Sequence, residues 1–108
     1  MSKANHRTNR QSIRRFEEII NVGPAFVEAF GLLGLKNPQD LIGKEPEVLY
    51  RRLVEKTNKF YDPCVLDVFI ATIAYMDGNP PKVWWEFTSQ RKRQFTYLVD
   101  ELRNQYER

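Results

Sequence analysis

The chemistry this chain offers most plainly belongs to its backbone. In Asn21-Val22-Gly23-Pro24-Ala25-Phe26 a short turn with one glycine enters an apolar segment through a proline. The first N–H groups of a helix lack intrahelical partners and carry a partial positive charge. A phosphate oxygen can be held there if the backbone can approach it. Gly23 has no side chain to prevent that approach, and Asn21 and Val22 shape the turn before it. Pro24 has no N–H, so the candidate donors are Gly23, Ala25 and Phe26. Such a grip reads phosphate and carries no base identity. Arg14, Arg15, Lys36 and Lys59 are the basic residues that would support it, with Arg51 and Arg52 as further cations. Glu28 opposes an anion so early in the helix. The same residues also suit a purely structural turn between two packed helices.

Side-chain catalysis has little to work with. The single cysteine, Cys64, is expected early in a buried helix, and the single histidine, His6, lies far away near the N-terminus. A cysteine nucleophile needs a base beside it. Asp62 and Asp67 read as helix-start carboxylates. No spacing resembles a metal site, and no glycine-rich nucleotide loop is present. The expectation is a non-enzymatic protein without metal or cofactor. Trp84 and Trp85 suit either stacking on a base or partner, or burial; at least one is expected to plug the core under the last helix.

These residues need elements to hold them. Ile13, Phe16, Ile19 and Ile20 predict a first helix from a Ser12 cap to Ile20. Pro24 opens a second, with Phe26, Ala29, Phe30 and Leu33 on one stripe and a stop at Gly34-Leu35. The connector that follows predicts one turn at Gln39–Ile42. Pro46 opens a third helix through Leu49, Tyr50, Leu53 and Val54. Asp62 and Pro63 open a fourth, whose wide apolar arc makes it the most buried element. Asp77–Pro81 ends it. A last helix starts at Thr88 or Ser89 and buries Phe95, Leu98, Val99, Leu102 and Tyr106. No stretch alternates with period two. The fold class is all-α, with about five helices.

Charge is unevenly placed. The chain has 108 residues and a net charge of +3. Residues 1–15 hold five basic side chains and no acid, whereas residues 16–90 hold seven basic and eleven acidic ones. An acidic body argues against a broad basic nucleic-acid face. Residues 1–12 read as a basic flexible arm able to add salt-dependent attraction to DNA. Residues 13–108 read as one domain. Arg91-Lys92-Arg93 is either a basic patch or a solvated face. No apolar run reaches the roughly 20 residues of a membrane span, and no secretory signal is evident. A cytoplasmic protein without membrane contact is the expectation.

The chain also resembles itself. Pro24–Phe30 ("PAFVEAF") and Pro63–Phe69 ("PCVLDVF") match in chemical type at an offset of 39, and Arg14–Ile20 resembles Arg51–Thr57 at an offset of 37. This predicts a duplicated helix–turn–helix unit, with repeat 1 at about 13–35 and repeat 2 at about 46–77. A Trp-rich segment and C-terminal helix follow at 82–108. The turn Asn21-Val22-Gly23-Pro24-Ala25 resembles the helix-hairpin-helix superfamily, with Asn21 in place of its first glycine. "VGPAFVEAF", "LGL", "DPCVLDVF" and "WWEFTSQRK" are similar to the pathogenicity-locus family, a mitomycin-resistance-like group, over about residues 16–93. That resemblance implies a SAM-like helical bundle and, by superfamily analogy, a DNA contact. Superfamily members that bind DNA often carry lysine or arginine where this chain has Phe26 and Glu28. Two functions follow: sequence-independent DNA binding through the first hairpin, or a protein-interaction module with no nucleic-acid role.

Overall fold

A computed structural model describes residues 10–107. Among these residues there are four α-helices and no strand: α1 (Pro24–Leu32), α2 (Pro46–Thr57), α3 (Cys64–Met76) and α4 (Thr88–Tyr106). Short 3-10 turns at Arg10–Ser12, Phe16–Glu18, Pro38–Leu41 and Trp84–Phe87 join them. The all-α expectation is met.

Where the sequence carries a proline start or a glycine stop, the helices obey it. Pro24 and Pro46 occupy the first positions of α1 and α2. Gly34 (φ +82°) ends α1: its N–H bonds the Gly31 carbonyl, and the Leu35 N–H bonds the Phe30 carbonyl at 3.0 Å. This is the Schellman arrangement, which glycine adopts without steric strain. Gly78 ends α3 in the same way, with the Asn79 N–H reaching the Ala74 carbonyl.

α3 is the central element. Leu66 through Ile73 are all buried, and α3 packs against α2, α4, the Pro38–Leu41 turn and the Trp-rich segment. Tyr50, Leu53, Val54, Leu66, Phe69 and Leu102 are sealed from solvent. Phe30 and Phe69, at matching places in the two similar stretches, stack at 5.6 Å between ring centroids. Removing this much apolar surface from water is the dominant stabilising effect.

The predicted helix from Ser12 to Ile20 does not form. Two 3-10 turns and extended residues take its place. Ile13, Phe16, Ile19 and Val22 are buried at a spacing of three, while Ile20 is exposed. That spacing suits the three residues per turn of a 3-10 segment better than an α-helix. The Gln39 amide supplies a further reason. It donates to the carbonyls of Arg10 (2.8 Å) and Ile13 (2.7 Å), and in the predicted helix the Ile13 carbonyl would accept from the following turn instead. The two similar stretches therefore differ: α2 and α3 form a helix pair, whereas α1 is preceded by an irregular strap.

The boundary of the arm also shifts. Residues 1–9 lie outside the described residues. Arg10 is buried, with its guanidinium 3.8 Å from the Tyr75 ring centroid and donating to the Tyr75 and Asn79 carbonyls. It belongs to the folded domain.

Candidate functional site

The first turn is held from both sides. Asn21 adopts φ +80°, a left-handed conformation that asparagine tolerates better than most residues. Its side chain then fastens the turn to the Trp-rich segment. Asn21 Nδ2 donates to the Lys82 carbonyl at 2.8 Å, and the Trp84 N–H donates to Asn21 Oδ1 at 3.1 Å. Val22 is buried and its N–H bonds the Ile19 carbonyl, so it anchors the turn and faces no ligand.

Gly23 occupies the N-cap of α1 in an extended conformation (φ −105°, ψ −174°) that any residue adopts. A Cβ built on it would meet no atom within 4 Å. Neither conformation nor packing requires glycine there. No side chain caps α1. The Phe26 N–H, one of the three expected donors, is taken by the Gly23 carbonyl at 3.0 Å, and its ring packs edge-on against Phe69 at 6.2 Å. The N–H groups of Gly23 and Ala25 form none of the hydrogen bonds among the described residues.

The supporting cations separate. Lys59 shares a groove with Ala25, Glu28, Ala29, Leu32 and Tyr61, so it lies on the flank where Glu28 places its carboxylate. Lys82, which the sequence did not single out, is tied to the turn by its backbone carbonyl, while its ammonium lies over the Phe87 ring, 6.0 Å from the centroid. It forms none of the ion pairs among the described residues. Arg14 is exposed just before the turn, and Arg15 faces Glu17 at 3.7 Å. Lys36 follows the C-terminal end of α1. The nine-residue helix puts it about 13 Å or more from the free amides, too far to join them. Arg51 pairs with Glu101 at 3.1 Å, and Arg52 donates to the Leu33 carbonyl. Both are engaged elsewhere.

The second turn is built differently. Asn58 (φ +57°) ends α2, and Asp62 Oδ1 accepts the Cys64 N–H at 2.8 Å at the start of α3. That bond holds the Asp62 carboxyl below its ordinary range. The chain's own carboxylate thus occupies the place an anion would take. Burial, with Asp62 alongside, pushes the Cys64 thiol up to about 11, so it stays protonated at neutral pH and is a poor nucleophile.

One strong polar contact escaped the sequence reading. Asp67, expected as a helix-start carboxylate, is wholly buried and binds Arg91 Nε at 2.8 Å and Thr88 Oγ1 at 2.7 Å. Arg91 therefore locks α4 to α3, and only Lys92 and Arg93 of the basic run are fully exposed. Neither tryptophan plugs the core. Trp84 is half-buried, Trp85 is 61% exposed, and Phe87 packs inward instead. No group of three or more His, Cys, Asp or Glu among the described residues is placed to hold a metal. No helix among them is long and apolar enough to cross a membrane.

Residues 9–93 match the family model described as Pathogenicity locus (Cdd1). The chain belongs to this family. The match begins beside the buried Arg10 and ends just past Arg91. It thus takes in both turns, the Trp-rich segment and the Asp67–Arg91 pair. Among curated proteins, the mitomycin resistance protein McrB of Streptomyces lavendulae is 31% identical over 75 residues, covering 69% of this chain and 71% of that protein. No solved structure matches.

Proposed function

We propose that this Pathogenicity-locus protein is a non-enzymatic module of helix-hairpin-helix type that contacts the phosphate backbone of DNA without regard to sequence. One observation carries this reading: α1, like α2, starts without a side-chain cap but has glycine where α2 has Glu45, while the start of α3 is filled by Asp62. The free amides of Gly23 and Ala25, a glycine the fold does not require, and Lys59 in the groove beside Ala25 suit an external phosphate. Glu28 is repulsive, and Lys59 beside it moderates that repulsion.

Titration of a labelled duplex at two salt concentrations tests the reading. Weak binding, indifferent to sequence and falling steeply with salt, is expected. Absence of binding at low salt contradicts it. Deleting residues 1–9 separates the basic N-terminal stretch from the hairpin; the deletion stops there because Arg10 is part of the fold.

A second reading, a protein-interaction module, draws on a different observation. Ala25, Phe26, Ala29, Leu53, Tyr61, Cys64 and Val65 line an apolar cavity of about 260 Å³ beside α1, and Leu32 is exposed nearby. Capture of one protein partner by a variant with no DNA affinity would favour it.

A further inference from the structure

We propose that Trp85 is a stacking platform for an unpaired base. The preferred partner of the hairpin is then DNA with unpaired nucleotides, such as a single strand or a gap, rather than an intact duplex. This rests on the phosphate-contact reading above.

The fold has no use for Trp85 as a core residue, since 61% of it faces solvent. Its ring is nonetheless supported: Trp84 meets it edge-to-face, with centroids 5.5 Å apart and planes at 84°. An aromatic face held by a neighbour stacks a base with little loss of side-chain freedom. The platform is also registered to the hairpin. Trp84, its neighbour in sequence, donates its N–H to Asn21, and Lys82, three residues before Trp85, accepts from Asn21. The hairpin turn and the backbone that carries the indole are therefore tied together. A backbone contact beside an exposed aromatic is the combination that binds single strands, because every base has a π-face. An intact duplex keeps its base faces stacked internally and offers them only at its ends. Glu86 is an exposed carboxylate beside Trp85; it works against a phosphate at that point but not against an uncharged base.

The test measures anisotropy of a labelled oligothymidine strand and of a duplex of equal length, using the full chain. The strand is expected to bind more tightly. Trp85→Ala should weaken strand binding about tenfold and leave duplex binding unchanged, while Trp85→Phe should keep most of the preference. The exposure of Trp85 makes the fold safe to these changes, and circular dichroism checks it. Equal binding of strand and duplex, or no effect of Trp85→Ala on the strand, overturns this inference while leaving the hairpin contact standing. No binding to either DNA overturns both.

Discussion

The two turns of this molecule begin alike and end differently. Asn21 and Asn58 are the non-glycine residues of positive φ among the described residues, and they stand 37 positions apart, the offset at which the segments before them resemble each other. After Asn58 the chain takes four more residues, the last of them Asp62, which caps α3. After Asn21 it takes Val22 and Gly23 and supplies nothing, so the amides of Gly23 and Ala25 make no hydrogen bond among the described residues. Glu28 and Asp67 repeat the divergence at an offset of 39: one carboxylate is exposed, the other buried against Arg91. One turn has been closed by its own side chains. The other has kept its helix end open, and a shape common to both turns cannot account for that difference.

The comparison breaks most forcefully at Asp67. Asp67→Ala leaves the half-buried Arg91 without its partner, and chemical denaturation should show a loss of about 3–5 kcal/mol. If Asp67→Ala costs no more than a surface substitution, the buried pair is not what fixes α4 on α3.

Asp62→Ala tests the closed turn more gently. Loss of a capping carboxylate costs about 1 kcal/mol. Because the Cys64 N–H holds the folded-state pKa of Asp62 below its ordinary value, this contribution is complete above the ordinary carboxylate range. It fades as pH falls through the lowered value. Melting curves of wild type and Asp62→Ala should therefore differ at neutral pH and converge in acid. A difference that persists unchanged in acid would deny the cap.

Much of the fold was legible because punctuation residues act locally. Pro24, Pro46, the Asp62–Pro63 pair, Gly34 and Gly78 each set a boundary within a turn of where they stand, and the middles of the three later stripes are buried, with Val65, Ala74, Phe95 and Tyr106 at their ends half-buried. The strap before α1 was misread because Ile13, Phe16, Ile19 and Ile20 have helical spacing, and only the burial of Val22 with the exposure of Ile20 reveals the period of three. The Gln39 side chain that takes its carbonyls lies 26 and 29 residues away. The same limit hid the rest of the site. Asn21 reaches Lys82 and Trp84 across 61 and 63 residues, and Asp67 finds Arg91 across 24. Pairings made only by folding leave no periodic mark. The extra polar residue beyond a helix start and the lysine before a tryptophan pair were visible, but not their meeting points.

The open N-terminus of α1 is proposed to take a phosphate. The most direct measurement compares Gly23→Asp with Gly23→Asn for duplex binding at low salt, with thermal melts alongside. Gly23 has N-cap backbone geometry and room for a side chain, so both residues can cap α1. Stability should hold or rise by a few tenths of a kcal/mol. The aspartate places a carboxylate where Asp62 places one in the second turn. Gly23→Asp should lower DNA affinity by about tenfold or more, on the order of 1.4 kcal/mol, with the uncharged asparagine losing less. A folded Gly23→Asp protein that binds DNA as tightly as wild type would contradict the account.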